Sequence, residues 1–163
     1  MAGAENPNLA NWADVAQIVL AVIAALALAG AVVQTLLSRA ATRQTLTYNY
    51  TERFANPAMW VYIRSTQELF ALGDKTADEK WREFNSWPRE RRLEALALPN
   101  LLEEMAGMYN RRILHKQTTK DFFGYTALRL WTNGEWLIKR IREQSNPNYY
   151  IQWEQMLKRM GLL

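Results

Sequence analysis

At 163 residues the chain has room for one domain of ordinary size plus a membrane element. It has no cysteine, which excludes disulfides and thiolate-based metal or redox centres, and its single histidine, His115, excludes any site that needs two imidazoles. All 20 Lys and Arg residues lie at Arg39 or beyond, together with 14 of the 16 acids, so residues 38–163 carry +6 and the first 37 carry −2; a bilayer is a physical reason for such a split.

Residues 1–13 read as a short tail outside the cytoplasm. From Val15 to Leu37 follows VAQIVLAVIAALALAGAVVQTLL, whose polar side chains, Gln17, Gln34 and Thr35, stand near its two ends. About 20 helical residues at about 1.5 Å each cross a hydrocarbon core of about 30 Å. The run is long enough, and a transmembrane helix is expected over 14–38. Trp12 ahead of it and Arg39 and Arg43 behind it suit the two headgroup regions. A buried core helix seldom stays uncharged for this length. A cleaved signal peptide would explain the position, and Ala25-Leu26-Ala27 is a tolerable cleavage pattern, but no positive charge precedes the apolar stretch. The positive-inside rule puts the amino terminus outside and the carboxyl-terminal part in the cytoplasm, at the cell inner membrane.

Ala21, Ala25 and Ala29, with Ala27 and Ala31, form rows of small residues at four-residue spacing, and Gly30 lies beside them. Small residues let a second membrane helix approach closely, so this face is a candidate for helix packing. The span has no ionisable side chain between Val15 and Leu37, hence no ligand for a haem or chlorophyll and no carboxylate for a proton path.

Beyond the span, RAATRQTLTYNYTERFA contains no breaker before Asn56-Pro57, so the helix should continue to about residue 54. A cytoplasmic helical domain then fills 56–163. Asn56-Pro57 reads as an N-cap with proline at the first helical position, and the next segment puts Trp60, Ile63, Gln67 and Phe70 on one side before Gly73 closes it. Thr76-Ala77-Asp78-Glu79 has capping-box spacing and should start a short helix through Trp81 and Phe84. Trp87-Pro88 marks a boundary. Leu93, Leu96, Leu98, Leu101, Leu102, Met105, Met108, Tyr109 and Ile113 then follow a helical period, with Pro99 as a kink or break. Thr118, three residues before Asp121, should cap a further amphipathic helix that ends in Lys139, Arg140 and Arg142. Asn146-Pro147 repeats the start signal for a last helix through Tyr150, Trp153, Met156 and Leu157. No segment alternates as a strand does. The expected fold is all-α: one amino-terminal transmembrane helix followed by a cytoplasmic bundle of about five helices.

The carboxylate pair in LPNLLEEMAGMYNRRIL, the aromatic FFGYTALRLW and the Asn-Pro and aromatic finish of IREQSNPNYYIQWEQML carry a resemblance to a bacterial family known as domain of unknown function 4760. The resemblance covers about residues 45–160. It implies a helical cytoplasmic domain behind one membrane helix, and it brings no activity and no functional residues.

The candidate chemistry is thin. Glu103-Glu104 and His115 could offer metal ligands, but Glu104 and His115 are eleven residues apart, about 16 Å of helix, and the Glu-x-x-His spacing of di-iron sites is absent. A carboxylate satisfied by Arg111, Arg112 or an arginine of a neighbouring helix is the plainer reading. His115 follows a helix end, where an imidazolium favours the terminal carbonyls. No phosphate loop or nucleotide fingerprint is present. Most of Trp60, Trp81, Trp87, Trp131, Trp136 and Trp153 should be core. Arg89, Arg91 and Arg92, and Lys139, Arg140 and Arg142, form two basic clusters that could lie on anionic lipid or a protein partner. A nucleic-acid interface needs a wider basic stripe. The expected partners are therefore the bilayer and other integral membrane subunits, with no nucleic acid, no small-molecule substrate and no cofactor. The expected role is a non-catalytic accessory subunit of a larger membrane complex, respiratory or photosynthetic for example. The alternative is a membrane-tethered signalling or recruitment module that binds a soluble partner or anionic lipid.

Overall fold

A computed structural model describes the backbone of residues 7–73 and 75–163 and the side chains of residues 16–73 and 75–163. The first six residues of the amino-terminal tail and the side chain of Trp12, expected at the membrane interface, lie outside the described residues. Six helices and no strand are present among the described residues: α1 (Pro7–Ala55), α2 (Met59–Phe70), α3 (Ala77–Ser86), α4 (Arg89–Asn110), α5 (Lys116–Gln144) and α6 (Ile151–Met160). The fold is all-α, with five helices after the long apolar one. Two compact units divide the chain, the first ending at Thr42 and the second running Arg43–Leu163.

In the first unit, α1 is the one helix among the described residues that is long and apolar enough to cross a membrane. Every side chain from Ala16 to Thr42 is exposed. Thr35 returns its hydroxyl to the Ala31 carbonyl at 2.8 Å, which satisfies the polar group within the helix and suits an apolar medium.

The second unit begins inside the same helix. Leu46, Tyr50 and Phe54, one turn apart, pack into the main core, and Thr47 beside them is fully buried. As expected, the helix runs to Ala55 and stops at Asn56-Pro57. The next one starts two residues later than the sequence suggested. Asn56 Oδ1 accepts the Ala58 N–H at 2.9 Å, so Asn56 and Pro57 form a turn that feeds α2. Asn146-Pro147 does the same: Asn146 Oδ1 accepts the Asn148 N–H at 2.9 Å, and α6 begins only at Ile151, after Tyr150 in a left-handed conformation at φ 57°. The capping box before α3 is present in both directions. The Thr76 hydroxyl receives the Glu79 N–H, and the Glu79 carboxylate accepts the Thr76 N–H at 2.8 Å.

Pro99 does not break α4. Proline has no N–H and frees the carbonyl four residues earlier, which is that of Ala95. The buried Thr66 hydroxyl on α2 donates to that carbonyl at 2.8 Å, so the gap in the ladder of α4 becomes a tie between α2 and α4. This tie sets the face that α2 buries: Ser65, Thr66 and Leu69. Trp60, expected on the buried side, is 67 % exposed, because the face turns toward the polar pair instead of the largest apolar residue. Leu93 is likewise exposed, on the outer side of the first turns of α4.

The main core gathers Leu98, Leu102, Met105 and Tyr109 of α4, Phe123, Leu130 and Trp131 of α5, and Trp153, Met156 and Leu157 of α6. Trp131 and Trp153 meet edge to face at 5.4 Å. A smaller cluster of Leu69, Phe84, Trp87, Ala95 and Leu137 seats α3. Of the six tryptophans beyond the apolar helix, Trp87, Trp131 and Trp153 are buried, Trp81 and Trp136 are half-buried, and only Trp60 stands out. Gly134 permits the closest crossing: a Cβ there would lie 2.5 Å from the Phe70 Cζ, so α2 and α5 approach only because residue 134 has no side chain.

Candidate functional site

A partly enclosed groove of about 470 Å³ lies in the second unit between the end of α1, α2, α4 and α5. Phe54, Ile63, Phe70, Leu98 and Leu130 form its apolar floor, and Gln67, Thr126, Arg129 and Asn133 its polar rim. Tyr125 stands at the edge, 75 % exposed. Its only charged lining residue is Arg129, and its lining has no carboxylate, imidazole or thiol. Such a surface can hold an apolar side chain or a short helix; it holds no nucleophile with a base beside it.

The three residues singled out as candidate chemistry are directed to different structural tasks. Glu103 reaches from α4 to the start of α6 and accepts the N–H of Gln152 at 3.0 Å and of Trp153 at 2.7 Å, a cap supplied from another helix. Glu104 turns toward α1, where it accepts the Tyr50 hydroxyl at 2.8 Å and pairs with Arg53 at 3.2 Å. The arginine of a neighbouring helix expected for this pair is therefore Arg53. Burial, then the hydrogen bond to Glu104 and its charge, push the Tyr50 phenol up to about 12. Tyr150, buried and bonded through its hydroxyl to Asn100 Oδ1 at 3.0 Å, is pushed up too, first by burial and then by Glu103 and Tyr149.

His115 corrects two expectations. It is the N-cap of α5, so the helix starts at Lys116 and not after Thr118, and the ring faces a helix beginning, not the carbonyls of a helix end. Nδ1 accepts the Thr118 N–H at 3.4 Å and lies 2.8 Å from the Thr118 hydroxyl. An imidazole can replace the usual Ser or Asp because its unprotonated nitrogen is an equally directed acceptor, a choice that capping statistics do not suggest. No group of three or more His, Asp or Glu among the described residues could hold a metal ion.

The two basic clusters are largely engaged inside the domain. Arg91 pairs with Glu68 at 3.1 Å and stacks on Trp87 at 4.1 Å. Lys139 pairs with Glu135 at 3.0 Å, and Arg140 bonds Asp78 and Glu143. Arg142 donates to the Tyr149 carbonyl and to Glu154, each at 2.8 Å. The Glu154 carboxyl is held below its ordinary value chiefly by Lys158 and then by Arg142, against the opposing effect of burial. Arg92 is half-buried, and Arg89 is exposed. Arg39 and Arg43 are exposed on α1, and Ala21, Ala25, Ala27, Ala29, Gly30 and Ala31 all lie on the open surface of the first unit. Sequence reasoning missed the groove, because its floor comes from four helices and has no local signature.

A family model described as a domain of unknown function (DUF4760) matches residues 17–160. No curated protein matches the chain, and no solved structure does.

Proposed function

The chain belongs to this family of unknown function, and from that premise we propose that it is a non-catalytic accessory subunit of a larger membrane assembly, held by one transmembrane helix and docked through its helical domain. One observation carries the reading: the described side chains of the apolar half of α1 all stand exposed. Eleven large aliphatic side chains between Ile18 and Leu37 stand more than half exposed. At about 1.5–3 kcal/mol for each one fully buried, and with somewhat over half of each side chain still open, roughly 10–20 kcal/mol of burial is left for lipid or other helices to supply, as large as the 5–15 kcal/mol of net stability typical of a domain. The alanine rows and Gly30 offer a neighbouring helix close approach, and the groove under Tyr125 offers a partner's apolar segment a seat. The charge split supports an orientation at the cell inner membrane with the amino terminus outside and the helical domain in the cytoplasm.

Gentle detergent extraction, native gels and mass spectrometry test this reading. The chain is expected to migrate with other integral membrane subunits, and migration as a lone 19.0 kDa chain contradicts it. The groove also favours a second reading, a tethered module that recruits a soluble partner. In that case the co-migrating proteins lack membrane spans and leave on a high-salt or carbonate wash.

A further inference from the structure

We propose that Arg43, Arg112 and Lys116 form a binding site for the phosphate of an anionic lipid headgroup; this rests on the reading of α1 as a membrane helix. The three line a cleft of about 400 Å³ with Leu114 and His115, and the lining includes no acid. None of them is in an ion pair among the described residues, whereas most of the cations in the two basic clusters are paired within the domain. Asp121, a turn further along α5, is engaged with Gln117 at 2.8 Å.

The cleft is fixed by backbone, not by chance proximity of side chains. The buried Thr47 hydroxyl donates to the Arg43 carbonyl at 2.8 Å and accepts the His115 N–H at 3.0 Å. One oxygen thus clamps the Arg43 turn of α1 to the start of α5, and Lys116 is the next residue.

Two of the three cations occupy positions that local structure disfavours. Arg112 closes α4: its N–H bonds the Tyr109 carbonyl at 2.9 Å, and the Ile113 N–H bonds that of Met108 at 3.0 Å. This ending calls for a left-handed residue, normally glycine, yet an arginine stands there at φ 62°. Lys116 is the first residue of α5, where the helix dipole favours acids, and the first turn has none. The backbone conformation at Arg112 and the helix dipole at Lys116 each work against folding, and both residues put positive charge on the same cleft, to which the start of α5 adds its own partial positive charge. Departures from local preference that converge on one place mark a function.

The source of the phosphate follows from the chain. Arg43 comes six positions after Leu37, the end of the apolar run, where basic residues favour the headgroup region.

Native mass spectrometry of the full chain in mild detergent, with phosphatidylglycerol, phosphatidylcholine or inorganic phosphate added, tests the site. Phosphatidylglycerol adducts are expected to outnumber phosphatidylcholine adducts several-fold. The preference should fall about fivefold per cation removed in Arg112→Gly and in Arg43→Gln with Lys116→Gln, and should stay unchanged in Arg89→Gln. Arg112→Gly should also keep or raise the thermal midpoint, because glycine relieves the backbone. Equal binding of the two lipids, an unchanged preference in Arg112→Gly, a lowered midpoint in that variant, or displacement of lipid by millimolar inorganic phosphate overturns the proposal. The preference is read in detergent. A chain that shows it but leaves the membrane in alkaline carbonate overturns the anchoring alone, and one that stays in the membrane without the preference overturns the site alone.

Discussion

Thr66→Val keeps the shape of the side chain and removes its hydroxyl. Thr66 and Ala95 are both fully buried, and the Ala95 carbonyl has lost its helical donor to Pro99. The variant therefore leaves a buried carbonyl without a partner, at a cost of about 1–3 kcal/mol. In a unit of this size that lowers the thermal midpoint by roughly 4–15 °C. Unfolding of the full chain in mild detergent, followed by tryptophan fluorescence, reports on it, because six of the seven tryptophans lie beyond Arg43. The sharper test is the second background. Pro99→Ala returns an N–H to position 99, which can donate to Ala95, so Thr66→Val should cost less than about 1 kcal/mol there. The two substitutions should couple by about 0.5–3 kcal/mol. An equal cost of Thr66→Val in both backgrounds would refute the idea that the threonine serves the carbonyl freed by the proline.

Glu103→Ala removes the cap of α6, which has no side-chain cap of its own, and should cost about 1–2 kcal/mol with faster amide exchange at Gln152 and Trp153. Unchanged exchange at those two amides would show that the carboxylate is incidental. Gly134→Val drives a side chain into Phe70 and should cost about 1–3 kcal/mol, part of which Phe70→Leu in the same chain restores. Glu154 has a lowered pKa, so its contribution is whole above its ordinary value of 4.5 and is lost as the pH falls below that value and through the folded one. A Glu154→Gln chain should accordingly show a flatter loss of stability below pH 4.5 than the unaltered one, in denaturant titrations across that range. Tyr50 should ionise near pH 12 in an absorbance titration, and Tyr50→Phe should remove that component.

What the sequence made legible were features that depend on neighbours along the chain. The apolar run from Val15, the breaks at Asn56-Pro57 and Trp87-Pro88, the Thr76 capping box and the number of helices all follow from local chemistry. Most of the misreadings share one cause, a partner far away in sequence; His115, which caps Thr118 three positions on, is the exception. Thr66 looks like a surface residue until Pro99, on another helix, leaves a carbonyl for it, and Trp60 is turned outward as a result. His115 looked like a helix-end cation because its role as N-cap depends on where α5 begins. The basic clusters looked free because Glu68, Asp78 and Glu154 meet them only in the folded domain. The cleft at Arg43, Arg112 and Lys116 was hidden for the same reason: its members are up to 73 positions apart and are joined by Thr47.

Membrane anchoring by the uncovered half of α1 is the claim on which the rest stands. Alkaline carbonate extraction of membranes from cells making the full chain, followed by intact-mass measurement of the protein in the pellet, tests it most directly. The account predicts the whole 19.0 kDa chain in the pellet. Protein released to the supernatant, or a shorter chain cut after Ala27, would contradict it.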